Sequence, residues 1–97
     1  MTNKLRTKEV EYLLTALRTA DNNDELFDFL LDVATPRELT EMAQRLEVAR
    51  LLADGMAYTA IEEATGASAT TIARVSKCLQ YGNSGYEGAL EKLREAL

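Results

Sequence analysis

Apolar residues recur every three or four positions along most of this chain. Nowhere does a run of β-branched residues alternate with polar ones. Such spacing puts a hydrophobic stripe on a helix and gives a strand no face to bury. The fold class that follows is all-α. At 97 residues the chain is expected to form a single domain over 1–97. A domain of this size covers only a modest share of its own surface, so a subunit interface would add to its stability.

Caps and stripes place six helices. Leu5, Val10, Leu13, Leu14 and Leu17 share a face of a first helix over about residues 5–19. Asn22 and Glu25 form a capping box before the apolar set Leu26, Phe27, Phe29, Leu30, Leu31 and Val33, on a helix running to about Ala34. Thr35-Pro36-Arg37-Glu38 is a stronger start, with a capping threonine, a proline at the first helical position and a glutamate closing the box. That third helix carries Leu39, Met42, Leu46, Val48, Ala49, Leu51 and Leu52 and ends near Asp54-Gly55. A short helix over about Thr59–Thr65 follows, with Thr59 and Glu62 as its box. Gly66 stops it, and Ser68 caps a fifth helix through about Leu79. Tyr81-Gly82-Asn83-Ser84-Gly85 is a loop by composition, and Ser84 with Glu87 opens a last helix carrying Ala89, Leu90, Leu93 and Leu97.

Two short helices joined at a glycine, over about 58–79, match a helix-turn-helix, whose second helix can lie in the major groove of DNA. On a helical wheel Ile72, Val75 and Leu79 fall on one side, able to pack on Ile61 and the third helix. Thr70, Ala73, Arg74 and Lys77 fall on the other. Arginine can donate two hydrogen bonds to guanine, threonine and alanine methyls can meet thymine methyls, and lysine suits a phosphate. Spacing alone leaves two readings open: a DNA-binding hairpin, or a packed hairpin with a polar outer face serving as a protein-interaction module. Exposed apolar residues in place of Thr70, Arg74 and Lys77 would favour the second.

Charge sharpens the choice. The net charge is −5, which argues weakly against nucleic acid. Its distribution argues the other way, because Ala64–Ser84 contains Arg74 and Lys77 and no acidic residue. Enzymatic chemistry is poorly supplied. The chain has no histidine, one cysteine and no glycine-rich phosphate loop, and Glu62 and Glu63 are helix neighbours that do not face one another. The expectation is no catalysis, no cofactor and no metal site. No apolar run is long enough to span a bilayer, no secretory leader is evident, and the lone Cys78 fits a reducing cytoplasm. Cys78 is expected to be a semi-buried small residue, and Tyr81 and Tyr86 to pack against the hairpin.

Thr35–Gly82 resembles the tryptophan-operon repressor (TrpR-like) family, and within it the YerC/YecD-type subgroup. The likeness rests on the Thr35-Pro36 start, Leu51-Leu52, Met56, Gly66-Ala67, Thr71-Ile72, Arg74, Ser76 and Leu79. By identity it covers about half the chain; by helix order it covers nearly all of it. The resemblance implies a six-helix intertwined homodimer that reads a palindromic operator in double-stranded DNA, with no membrane partner. The contact surface it implies comprises Ser68, Ala69, Thr70, Thr71, Ala73, Arg74 and Lys77. An acidic chain can still bind DNA in such a family, because only the contacting face need be positive and dimerisation doubles the phosphates reached. Water-mediated base contacts, known from a trp repressor–operator complex, can contribute as well.

The resemblance also implies an amino-acid-like effector held by Arg45, Arg74, Val75 and Cys78. For Arg45 the competing reading is an ordinary exposed helix charge. Tryptophan-responsive members have glycine where Val75 stands and serine where Cys78 stands. The branched Val75 should fill the space an indole would need, so the expected effector is something other than tryptophan, or none. A helix-turn-helix ordinarily carries alanine at the position of Glu62, so Glu62 must turn outward.

Overall fold

The computed structural model describes residues 3–96. Among them are six helices and no strand: α1 (Lys8–Arg18), α2 (Asn23–Val33), α3 (Pro36–Ala53), α4 (Tyr58–Thr65), α5 (Ala69–Tyr81) and α6 (Gly85–Ala96). Leu97, expected on the stripe of the last helix, lies outside the described residues. None of these helices is long and apolar enough to cross a membrane.

Most starts follow from side chains that satisfy the free N–H groups of a first turn. The Thr7 hydroxyl accepts the Val10 N–H at 3.1 Å and sets the start of α1 later than the apolar spacing implies. Leu5 therefore lies outside the helix and is 75% exposed. Asn22 caps α2 by accepting the Glu25 N–H at 2.9 Å, while the Glu25 carboxylate accepts the N–H of Asp21 at 3.0 Å. Thr35 and Glu38 form the full reciprocal box: the threonine hydroxyl accepts the Glu38 N–H at 3.0 Å, and the carboxylate accepts the Thr35 N–H at 2.8 Å. These bonds, the backbone one first, hold the Glu38 carboxyl below its usual range. α3 ends in paired backbone bonds, Gly55 N–H to Leu52 C=O at 3.0 Å and Met56 N–H to Leu51 C=O at 3.1 Å, the Schellman pattern.

The box predicted at Thr59 is not formed. α4 begins one residue earlier, at Tyr58, and its cap residue Ala57 offers no side chain to the first turn. Thr59 sits inside the helix. The last loop is narrower than its composition implies, because α5 continues to Tyr81. Gly82 turns the chain there, its N–H on the Cys78 carbonyl at 2.9 Å. A Cβ at Gly82 would stand 2.5 Å from that carbonyl oxygen, so the backbone approach needs glycine. Ser84 follows with φ of 63°, unusual for a residue with a side chain.

The chain divides into two compact units, Met1–Leu39 and Thr40–Leu97. The second holds the core: Val48, Ala49 and Leu51 from α3, Ile61 from α4, Ala67 from the turn, Ile72 and Val75 from α5, and Leu90 from α6. Leu52, Leu79 and Tyr86 pack against it. In the first unit, no residue of α1 or α2 is buried.

Candidate nucleic-acid interface

The three-residue turn Gly66-Ala67-Ser68 joins α4 to α5, and its geometry is held from several sides. The Gly66 N–H donates to the Glu62 carbonyl at 2.9 Å, and the left-handed conformation of Gly66, φ 73°, then turns the chain out of α4. The Thr65 hydroxyl donates to the Ile61 carbonyl at 2.8 Å and accepts the Ala67 N–H at 3.1 Å. From α3, the Gln44 amide donates to the Thr65 carbonyl at 3.2 Å. Ala67 is 4% exposed beneath these bonds. Ser68 then starts α5 by accepting the Thr71 N–H at 3.1 Å. Glu62 points to solvent, as its departure from the usual alanine requires.

α5 has two unlike sides. Ile72 and Val75 are 0% and 2% exposed, in the core with Ile61 and the α3 residues, as the wheel requires. Ala69, Thr70, Ala73, Arg74 and Lys77 are exposed on the other side. Ser68 is exposed and Thr71 half-buried, and their hydroxyls hydrogen-bond each other at 3.1 Å as part of the cap. Arg74 and Lys77 make no hydrogen bond or ion pair among the described residues. Arg50 on α3 differs: Glu47 takes its guanidinium at 2.6 and 2.8 Å, and Asp54 lies 3.6 Å away. The arginine of α5 is thus left with its full set of donors.

The residues assigned to an effector do not share one environment. Val75 is in the core, Arg45 is half-buried on α3, and Cys78 is exposed. The exposure of Cys78 corrects the semi-buried expectation. It follows Arg74 by four residues, a little over one turn, and so shares that outward side. Arg74, Lys77, Cys78, Tyr81 and Gly82 line a shallow depression of about 350 Å³, which neither Arg45 nor Val75 lines. Tyr81 is a second correction: Tyr86 packs on the core, whereas Tyr81 is 79% exposed at the end of the Arg74–Lys77 stripe. Its spacing, four residues after Lys77 and seven after Arg74, was the available signal. Gln44, which ties α3 to the turn from 21 positions away, had none.

The same architecture occurs in known proteins. The family described as Trp repressor protein matches residues 8–94. The uncharacterized protein YerC of Bacillus subtilis (strain 168) is 45% identical over 93 residues, spanning 96% of this chain and 89% of that relative. The crystal structure of a TrpR-like protein from Eubacterium eligens ATCC 27750 superposes with a TM-score of 0.91 at 44% identity, over 95% of each chain. A putative Trp repressor from Staphylococcus aureus superposes with a TM-score of 0.90 at 37% identity, over 94% of this chain and 91% of that one. With its six helices, its glycine turn and nearly its whole length in register with these relatives, the chain belongs to the Trp repressor protein family.

Proposed function

We infer that the protein is a homodimeric, sequence-specific DNA-binding transcriptional regulator of the cytoplasm, a repressor of an operon that it recognises through a palindromic site. The observation that carries this is the outer side of α5. It is exposed, free of acidic residues, and bears an arginine and a lysine that nothing else in the described chain engages. In this reading α5 enters the major groove. Ala69, Thr70, Ala73 and Arg74 meet base edges, and Lys77 and the Tyr81 hydroxyl meet phosphates. Ser68 and Thr71 sit at the groove-facing end of α5, where they keep its first turn rigid.

Dimerisation is supported by the first unit. Phe27, Leu31 and Val33 on α2 are 52, 42 and 53% exposed, and Leu13 and Leu14 on α1 are 38 and 40% exposed. Apolar groups so placed on consecutive helices mark a surface that associates. A second copy would cover it and present two α5 helices to two half-sites.

An effector, where one acts, is a small amino-acid-like molecule other than tryptophan. The support is Val75, whose side chain already fills closely packed space. Forcing an indole against such packing costs about 1–3 kcal/mol.

In vitro selection of bound duplexes by the purified chain tests the reading. Enrichment of two inverted half-sites is expected; a chain that enriches no sequence is not this regulator, and the interaction-module reading takes its place. Lys77→Ala should weaken binding to all duplexes alike and flatten the salt dependence by about one unit of slope for each phosphate no longer neutralised. Calorimetry should show no micromolar binding of L-tryptophan, and L-tryptophan should not tighten the operator complex.

A further inference from the structure

We propose that each half-site is read directly as one guanine, contacted by Arg74, flanked within about two base pairs by thymines whose methyl groups meet Thr70 and Ala73. The proposal rests on the DNA-binding reading above and adds the base chemistry of the site.

It follows from the side chains that α5 exposes around Arg74. Adenine is read in the major groove by asparagine or glutamine, and cytosine by a carboxylate. α5 contains no asparagine, aspartate or glutamate. Its one glutamine, Gln80, is exposed but lines a cleft with Leu52, Leu79 and Leu90 that none of Thr70, Ala73 and Arg74 lines. What the exposed side offers is one forked donor, Arg74, the Lys77 ammonium, assigned above to a phosphate, and the methyl groups of Ala69, Thr70 and Ala73, of which the last two stand closest in sequence to Arg74 on its side. A guanidinium that no carboxylate holds can present two N–H groups to guanine O6 and N7. In the major groove the base group that suits these methyl groups is the thymine C5-methyl. Thr70 and Arg74 are four residues apart, about 6 Å along the helix axis at ~1.5 Å per residue. Base pairs repeat at about 3.4 Å, which gives the two-step spacing.

The test uses the full-length chain and its selected operator, with single atoms altered in the DNA. Changing the guanine of each half-site to adenine should weaken the parent protein by roughly five- to 150-fold per half-site. Arg74→Ala should lose most of that preference while its circular dichroism is unchanged. Replacing guanine by 7-deazaguanine, which lacks N7, should weaken the parent and leave Arg74→Ala indifferent. Replacing a flanking thymine by deoxyuridine, which removes only the methyl, should weaken the parent about fourfold. Thr70→Ser, which keeps the hydroxyl, should be insensitive to one such replacement. A guanine preference that survives Arg74→Ala, or indifference to every deoxyuridine, overturns this proposal while leaving the DNA-binding reading intact. Failure to enrich any sequence overturns that reading and this proposal together.

Discussion

α1 and α5 are comparably amphipathic, yet they end in different surroundings. α5 places Ile72 and Val75 in a core shared with α3, α4 and α6, and what it leaves exposed is polar or small apart from Tyr81. α1 and α2 bury no residue, and much of what they expose is leucine, phenylalanine, tyrosine and valine. An apolar stripe specifies that a face should be covered; it does not say by what. In the second unit the cover is the same chain. In the first it is supplied, on the reading above, by another copy.

The sharpest way to break this contrast is to hollow out the core of the second unit. Ile72→Ala removes most of a fully buried side chain and should lower unfolding free energy by about 2–5 kcal/mol, measured by denaturant titration. A decrease below about 0.5 kcal/mol, the level of an ordinary surface change, would show that this core is not what holds α5. The matching change in the first unit is Phe27→Ala. If Phe27 faces only water, stability should hardly move. If a second copy covers it, the dimer should weaken by about 1–2 kcal/mol per protomer, read as a shift in the concentration at which sedimentation detects monomer. A stable, well-folded parent monomer at micromolar concentration would end the dimer proposal outright.

Smaller effects separate the turn from the core it rests on. Gly66→Ala meets no atom within 4 Å but must hold φ of 73°. About 1 kcal/mol of destabilisation is expected, with operator affinity falling further than stability because α5 is re-aimed. The smallest effect belongs to the box at the start of α3. Hydrogen bonds from Thr35 lower the folded-state pKa of Glu38 below its unfolded value. As pH falls the unfolded chain therefore takes up the proton first. The contribution is fully present above the ordinary carboxylate range and is lost as pH drops through the lower, folded value. Glu38→Gln should remove that part of the acid dependence, melting slightly below the parent at neutral pH and converging with it in acid.

The caps make the helices legible in the sequence. Asn22, Thr35, Gly66 and Ser68 each satisfy or redirect backbone groups within a few residues, so a local pattern suffices to find them. The start of α4 is not legible in this way, because no side chain marks it. The chain leaves the backbone-bonded turn at Gly55 and Met56 and begins a helix with Ala57 as its cap. The outward side of α5 can be read from 100° periodicity, but the stripe runs on to Tyr81, past the point where composition suggests a loop. The Gln44–Thr65 bond is not legible at all, since contacts across 21 positions leave no periodic trace. The uncovered faces of α1 and α2 can be read as apolar, but their exposure depends on how the whole chain folds.

Gly66 and Gly82 end the two hairpin helices, and they constrain future change in opposite ways. At Gly66 the surroundings are open and only the backbone angle is demanding, so asparagine, which tolerates that angle, is an accessible replacement. At Gly82 the angle is ordinary, φ −83°, and the obstacle is the Cys78 carbonyl oxygen in the path of any side chain. No choice among the other residues relieves that collision, because all of them begin with the same carbon. A library randomised at both positions should return a short list at the first and glycine alone at the second. The chain could thus drift at the turn that leads into α5, while staying fixed at the residue that ends it.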